Sequence, residues 1–139
     1  MTETTDDELQ DVGLGPAVDP VLQAFCNVAR RNDDFDLQIT LWVAGGVLTG
    51  TMVNFKRWMT EVGEVPTVGG DPGFFKQMAD IILDGLDDEA DEKSRPPARF
   101  INLVDARGVQ ASGLFPTNNG MLWRGRLSEV SGWSLGGMS

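Results

Sequence analysis

Residues 37–53 read LQITLWVAGGVLTGTMV, and this stretch decides the fold. Leu37, Ile39, Leu41 and Val43 alternate with Gln38, Thr40 and Trp42, so an extended chain here buries one face and turns the other outward. Gly45-Gly46 supplies residues that tolerate the positive φ of a tight hairpin, and residues 47–53 form the returning strand. Gly50 interrupts that strand. Glycine weakens a strand interior, so its presence predicts a bulge, a sharp bend or a close backbone approach, and with it a curved sheet.

Helical signals flank the hairpin. Before it, Asp19-Pro20 is a helix start, and Val21, Leu22, Phe25, Val28 and Ala29 form one apolar face expected to lie across the sheet. After it, Asn54 caps a short helix with Phe55, Trp58, Met59 and Val62 on one face and Gly63 at its end. Asp71-Pro72 repeats the start signal ahead of Phe74, Phe75, Met78, Ile81 and Ile82, a helical insertion ending near Gly85.

The remainder reads as short strands. Residues 100–104 are apolar and strand-like, Ala106-Arg107-Gly108 is expected to turn the chain, residues 116–120 form a longer loop, and residues 121–130 and 133–138 finish the sheet. The predicted fold is α+β: a small, strongly bent antiparallel sheet or partly open Sm-like or SH3-like barrel, with an N-terminal helix and a helical insertion. Residues 1–18 are expected to be a mobile acidic tail, and residues 19–139 one domain carrying an exposed acidic loop at 86–98. A chain of 139 residues, 41% hydrophobic, suffices for one core.

The composition narrows the chemistry. Histidine and tyrosine are both absent, which removes the usual general base near neutral pH, the commonest transition-metal ligand and the phenolic acid. The one cysteine, Cys26, falls on the apolar side of the first helix and reads as a buried small hydrophobe. The acidic run 87–92 lacks the ligand spacing of a calcium loop, Gly69-Gly70-Asp71-Pro72-Gly73 has no lysine-serine pair for phosphate, and no serine has a histidine to activate it. No catalytic residue, metal site or cofactor site is assigned. The net charge of -10 repels a phosphate backbone, so nucleic acid is not the expected partner. No apolar run reaches the roughly 18 residues of a membrane span, and a cytoplasmic protein is expected.

Binding residues are more visible. Trp42 points away from the face that buries Leu41 and Val43, so a packed helix of the chain itself or a partner must cover it. In LWRGRL (residues 122–127), Arg124 and Arg126 share one strand face as a small basic stripe whose partners are the chain's own carboxylates or those of another molecule. Trp42, Arg124 and Arg126 are the candidate interaction surface.

DLQITLWVAGGVLTGTM (residues 36–52) and the closing MLWRGRLSEVSGWSLGGMS (residues 121–139) resemble the gas vesicle accessory protein U family. The likeness lies in the Gly-x-x-x-Gly-x-Met pattern of Gly46, Gly50 and Met52, the Trp-Arg-Gly block at Trp123, Arg124 and Gly125, and the Glu129-Val130 and Leu135-Gly136 pairs. It covers roughly residues 20 to 138. The resemblance implies a non-enzymatic accessory protein without a cofactor, which contacts the gas vesicle surface or other gas vesicle proteins and influences vesicle clustering. Clustering needs at least two binding sites, hence a homo-oligomer is expected. More distantly, the Gly50 and Arg124-Gly125 strands are similar to the two halves of an Sm-like barrel, which makes an Sm-like nucleic-acid-binding module the alternative. The Sm pattern's base-contacting residues are missing, since Phe55, Lys56 and Arg57 stand where an aspartate belongs.

Overall fold

Apolar alternation, capping and turn chemistry produce a definite order of elements in the computed structural model, which describes residues 17–67, 73–86 and 95–138. Helix α1 (Pro20–Ala29) precedes the hairpin β1 (Leu37–Val43) and β2 (Gly46–Val53). Helices α2 (Phe55–Gly63) and α3 (Phe74–Asp84) follow, then β3 (Phe100–Gln110), β4 (Gly113–Phe115), β5 (Met121–Arg126), a 3-10 turn at Leu127–Glu129 and β6 (Val130–Leu135). The fold is α+β, as expected. The six strands form one antiparallel sheet ordered β4-β3-β2-β1-β6, with β5 also on β3. Leu103 pairs with Met52 of β2 and with Trp123 of β5, so β5 lies on the edge of β3 opposite to β2.

Chain connectivity forces this sheet to curl. In a flat sheet β5 and β6 would lie four strand spacings apart, about 19 Å. Only Leu127–Glu129 joins them, a link that reaches at most about 14 Å when fully extended. The sheet therefore bends until its two ends approach, giving a partly open barrel that is not closed.

The bend is built at one place. Between Leu103 and Ala106 the register of β3 shifts against β5, and opposite Thr49 to Thr51 it shifts against β2. The extra β3 residue is Asp105, in the left-handed region with φ 51. Gly50 faces this bulge, and a Cβ there would sit 3.1 Å from the Ala106 Cα and 3.2 Å from the Val104 carbonyl oxygen. On the other edge the Gly120 N–H donates to Asp105 Oδ1 at 2.9 Å, and a Cβ at Gly120 would run into the Asp105 backbone. Close approach requires glycine at 120, and at Gly50 a side chain would press on the backbone of the neighbouring strand. The strand glycine thus marks the bulge and the backbone contact that its presence predicted.

Helix α1 covers the inner face of the curved sheet. Leu22 and Cys26 join Ile39, Leu41, Met52, Ile101, Leu103, Ala106 and Leu127 in one buried cluster. Each large apolar side chain so buried contributes about 1.5–3 kcal/mol. Asp19 accepts the Val21 and Leu22 amides through Oδ1, at 2.8 and 3.2 Å, and the Trp133 indole N–H through Oδ2 at 2.9 Å. The helix cap is thereby also a tether to β6, reinforced by Phe25 edge-on to Trp133 at 5.7 Å. Asn54 caps α2 as expected, its Oδ1 accepting the Arg57 amide at 2.8 Å.

Three local expectations are corrected. Val43 pairs with Gly46, so the hairpin loop is Ala44-Gly45, with φ 89 at Gly45, and Gly46 already belongs to β2. Ala106-Arg107-Gly108 does not turn the chain: β3 continues to Gln110, because neighbours on both edges hold it extended, and reverses before Gly113. Residues 121–130 are not one strand, since Leu127 leaves β5, buries its side chain and donates its amide to the Arg99 carbonyl at 2.8 Å. The Asp71-Pro72 start signal, most of the acidic tail and most of the 86–98 loop lie outside the described residues.

Two consequences are measurable. Gly120→Ala should destabilise by about 1–3 kcal/mol, because the new methyl meets backbone that cannot yield. Gly46→Ala, with nothing within 4 Å of the added atom, should stay within about 0.5 kcal/mol of the parent in the same urea titration. Asp19 supplies the second. Burial raises its pKa, but the hydrogen bonds from Trp133, Leu22 and Val21 together outweigh it and hold the carboxyl below its ordinary 3.8. A folded-state value below the unfolded one stabilises fully above pH 3.8, and that contribution fades as pH falls through the folded-state value. Thermal melts at about pH 6 and about pH 3 should therefore show a smaller acid-induced loss for Asp19→Asn than for the parent.

Candidate functional site

The outward face of β1 carries Gln38, Thr40 and Trp42. The chain end covers part of it: Thr40 Oγ1 donates to the Gly136 carbonyl at 2.9 Å, and Thr49 Oγ1 accepts the Met138 amide at 2.9 Å. Thr40 and Thr49 also meet through their hydroxyls at 3.2 Å, and both are buried. This cover ends before Trp42, which stays 42% exposed next to Gly132, its β6 partner. The ring is thus partly open to solvent.

Arg124 is built quite differently. Its guanidinium carbon lies 3.9 Å from the centroid of the Phe100 ring and 5.0 Å from that of Phe55. Its Nε donates to Oδ1 of the buried Asn102 at 3.0 Å, directly across the β3–β5 ladder. Burial lowers its pKa from the ordinary arginine value, yet guanidinium stays protonated at any physiological pH. The ion pairs among the described residues are Lys56–Asp33, Lys76–Asp80 and Arg107–Asp105. Neither Arg124 nor Arg126 has a carboxylate partner among the described residues.

The two arginines share a strand face, as the alternation requires, but not a setting. Both are exposed, but Arg124 lines a cleft of about 180 Å3 together with Arg30, Arg99, Asn54, Asn102 and the Phe100 ring, while Arg126 lies outside it. Helix α1 positions the entry strand: Gln23 Nε2 donates to the Ala98 carbonyl at 2.8 Å, Asn27 Oδ1 accepts the Ala98 amide at 2.9 Å, and Arg30 Nη1 donates to the Pro96 carbonyl at 2.8 Å. Gly125 is glycine because the Trp123 ring lies over it. Cys26 also lines the cleft, with its thiol pushed up to about 12 by burial, so it is not a nucleophile near neutral pH. The alternation of residues 122–127 identified Arg124. Arg30, Arg99 and Asn102 were missed, since they reach the cleft from α1 and β3 and no local pattern joins them.

No group of metal-ligating side chains large enough to hold an ion occurs among the described residues, and no described helix is long and apolar enough to cross a membrane. What the arrangement offers is a half-exposed tryptophan and a cationic cleft on a small α+β protein with a curled, open antiparallel sheet. The chain belongs to the gas vesicle protein GvpU-like family, whose model matches residues 19–138. It is a gas vesicle-related protein. No curated protein and no solved structure matches it.

Removing the clamped guanidinium tests its structural share. Arg124→Ala leaves Asn102 Oδ1 without its partner at 7% exposure and should lower stability by about 1–3 kcal/mol. Arg126→Ala should change it by less than about 0.5 kcal/mol in the same urea titration.

Proposed function

We propose that this chain is a non-enzymatic accessory protein that associates with gas vesicles and promotes or regulates their clustering through protein–protein contacts. The observation that carries this reading is the family match across residues 19–138. Two features of the described surface support it: Trp42 is 42% exposed past the end of the segment that covers Thr40, and Arg124 is a positioned cation with no carboxylate of its own among the described residues. Large amphipathic rings and arginine forks are the side chains that most often dominate protein interfaces. The partner is the vesicle surface or another gas vesicle protein, in the cytoplasm, with no nucleic acid or membrane involved. Holding two vesicles together requires two attachment points per unit, so the working form is a homo-oligomer.

Co-flotation tests this directly. Purified protein mixed with isolated gas vesicles should rise with the buoyant layer, and electron microscopy of that layer should show vesicles bridged side to side. Trp42→Ala should leave more protein in the subnatant, by roughly tenfold in apparent affinity if the ring lies at the centre of the contact. Protein remaining wholly in solution would remove the vesicle as its partner, and a rise in fluorescence anisotropy with oligonucleotides at low salt would replace this reading with the nucleic-acid one.

A further inference from the structure

The cleft beside Arg124 reverses the sign of the rest of the chain. Lys and Arg total 11 against 21 Asp and Glu, yet among the described residues the cleft's lining holds Arg99 and Arg124, with Arg30 bound to the Pro96 carbonyl beside them, and no carboxylate. Arg124 is also preorganised. Its Nε is occupied by Asn102 and its carbon stacks on Phe100, which fixes the plane of the fork. The terminal nitrogens hold no acceptor among the described residues. Such a fork matches the two oxygens of a carboxylate, and holding it in place beforehand removes much of the entropic cost of ordering it on binding.

Size and charge select among anions. Sites for nucleotides and comparable small molecules enclose about 300–1,000 Å3, whereas this cleft of about 180 Å3 admits little more than one side chain. Repulsion from the net charge of -10 grows with every charge a ligand brings, so a short segment with one carboxylate is tolerated where a polyphosphate is not. The two rings here stack on Arg124 itself instead of standing free as platforms for bases, the arrangement that single-stranded nucleic acid requires.

We propose that this cleft is a receptor for one carboxylate of a partner protein, presented by an aspartate or glutamate side chain or by a chain terminus. Arg124 supplies the oriented fork, Arg99 adds charge at the exposed rim, and Asn102 positions Arg124 from beneath. The proposal rests on the reading of the chain as a protein-binding accessory, and it deepens that reading by naming the partner group.

The test is a nuclear magnetic resonance titration of the full-length, nitrogen-15-labelled protein at about 20 mM salt, where charge interactions are least screened. Two probes separate the sources: acetyl-Gly-Glu-Gly-amide carries only a side-chain carboxylate, and acetyl-Gly-Gly-Gly only a terminal one. The expected result is saturable shifts of the Asn102 side-chain amide and the Arg124 and Arg99 Nε–H signals with at least one probe, and none with acetyl-Gly-Gln-Gly-amide. Arg124→Lys, which keeps the charge without the fork, should weaken binding about tenfold. Arg99→Glu, which leaves the Arg124 clamp in place, should abolish binding, and Arg126→Ala should leave it unchanged. Shifts that never saturate, equal binding of the glutamine peptide, insensitivity to both Arg124→Lys and Arg99→Glu, or tighter binding of inorganic phosphate would each overturn the proposal. Peptide binding without vesicle flotation would leave the cleft standing and remove the vesicle reading, and flotation without peptide binding would do the reverse.

Discussion

One extra residue in β3 sets the shape of this protein. Asp105 is inserted against both neighbouring strands at once, Gly50 closes over it on one edge, and Gly120 donates to its carboxylate on the other. A bulge raises local twist and bends its strand, and here it does so in a strand paired on both sides. The bend carries the sheet round far enough for a three-residue link to join β5 to β6 at its opposite ends. The curved inner face then accepts α1, whose Leu22 and Cys26 complete the core.

The cleft depends on that packing. Helix α1 packs on the inner face with its end beside the approach to β3, where Gln23 and Asn27 fix the backbone of Ala98 and Arg30 donates to the Pro96 carbonyl. That same start of β3 presents Phe100 and Asn102 to Arg124 across the ladder. The cationic cleft is therefore assembled from α1, β3 and β5, the first of them far from the other two in sequence. The cost of leaving Asn102 unpaired below it couples the cleft to stability, so the site is held by the fold and also contributes to it.

Around Trp42 the constraint is different. Two buried threonine hydroxyls on adjacent strands need acceptors and donors, and residues 136–138 supply them. That requirement ends at Thr40, one pleat short of Trp42. An aromatic ring standing beside a glycine and past the end of its cover is a typical anchor shape for a protein contact. Strand register puts it on the same outward face as Arg124, but on β1 and outside the lining of the cleft.

The sequence by itself determined the α+β class, the hairpin, the capped helix starts at Asp19 and Asn54, and the outward placement of Trp42, because alternation, capping and turn chemistry act over a few residues. Gly50 announced curvature in the same local way. It could not announce where the extra residue would fall: Ala106-Arg107-Gly108 has turn composition, and pairing on both edges overrode it, an interaction no local window contains. The site divided along the same line. Strand alternation placed Arg124 and Arg126 on one face, as they are. Only the tertiary structure separated them, because stacking on Phe100, the hydrogen bond to Asn102 and the approach of Arg30 and Arg99 depend on segments that meet through the bend of the sheet.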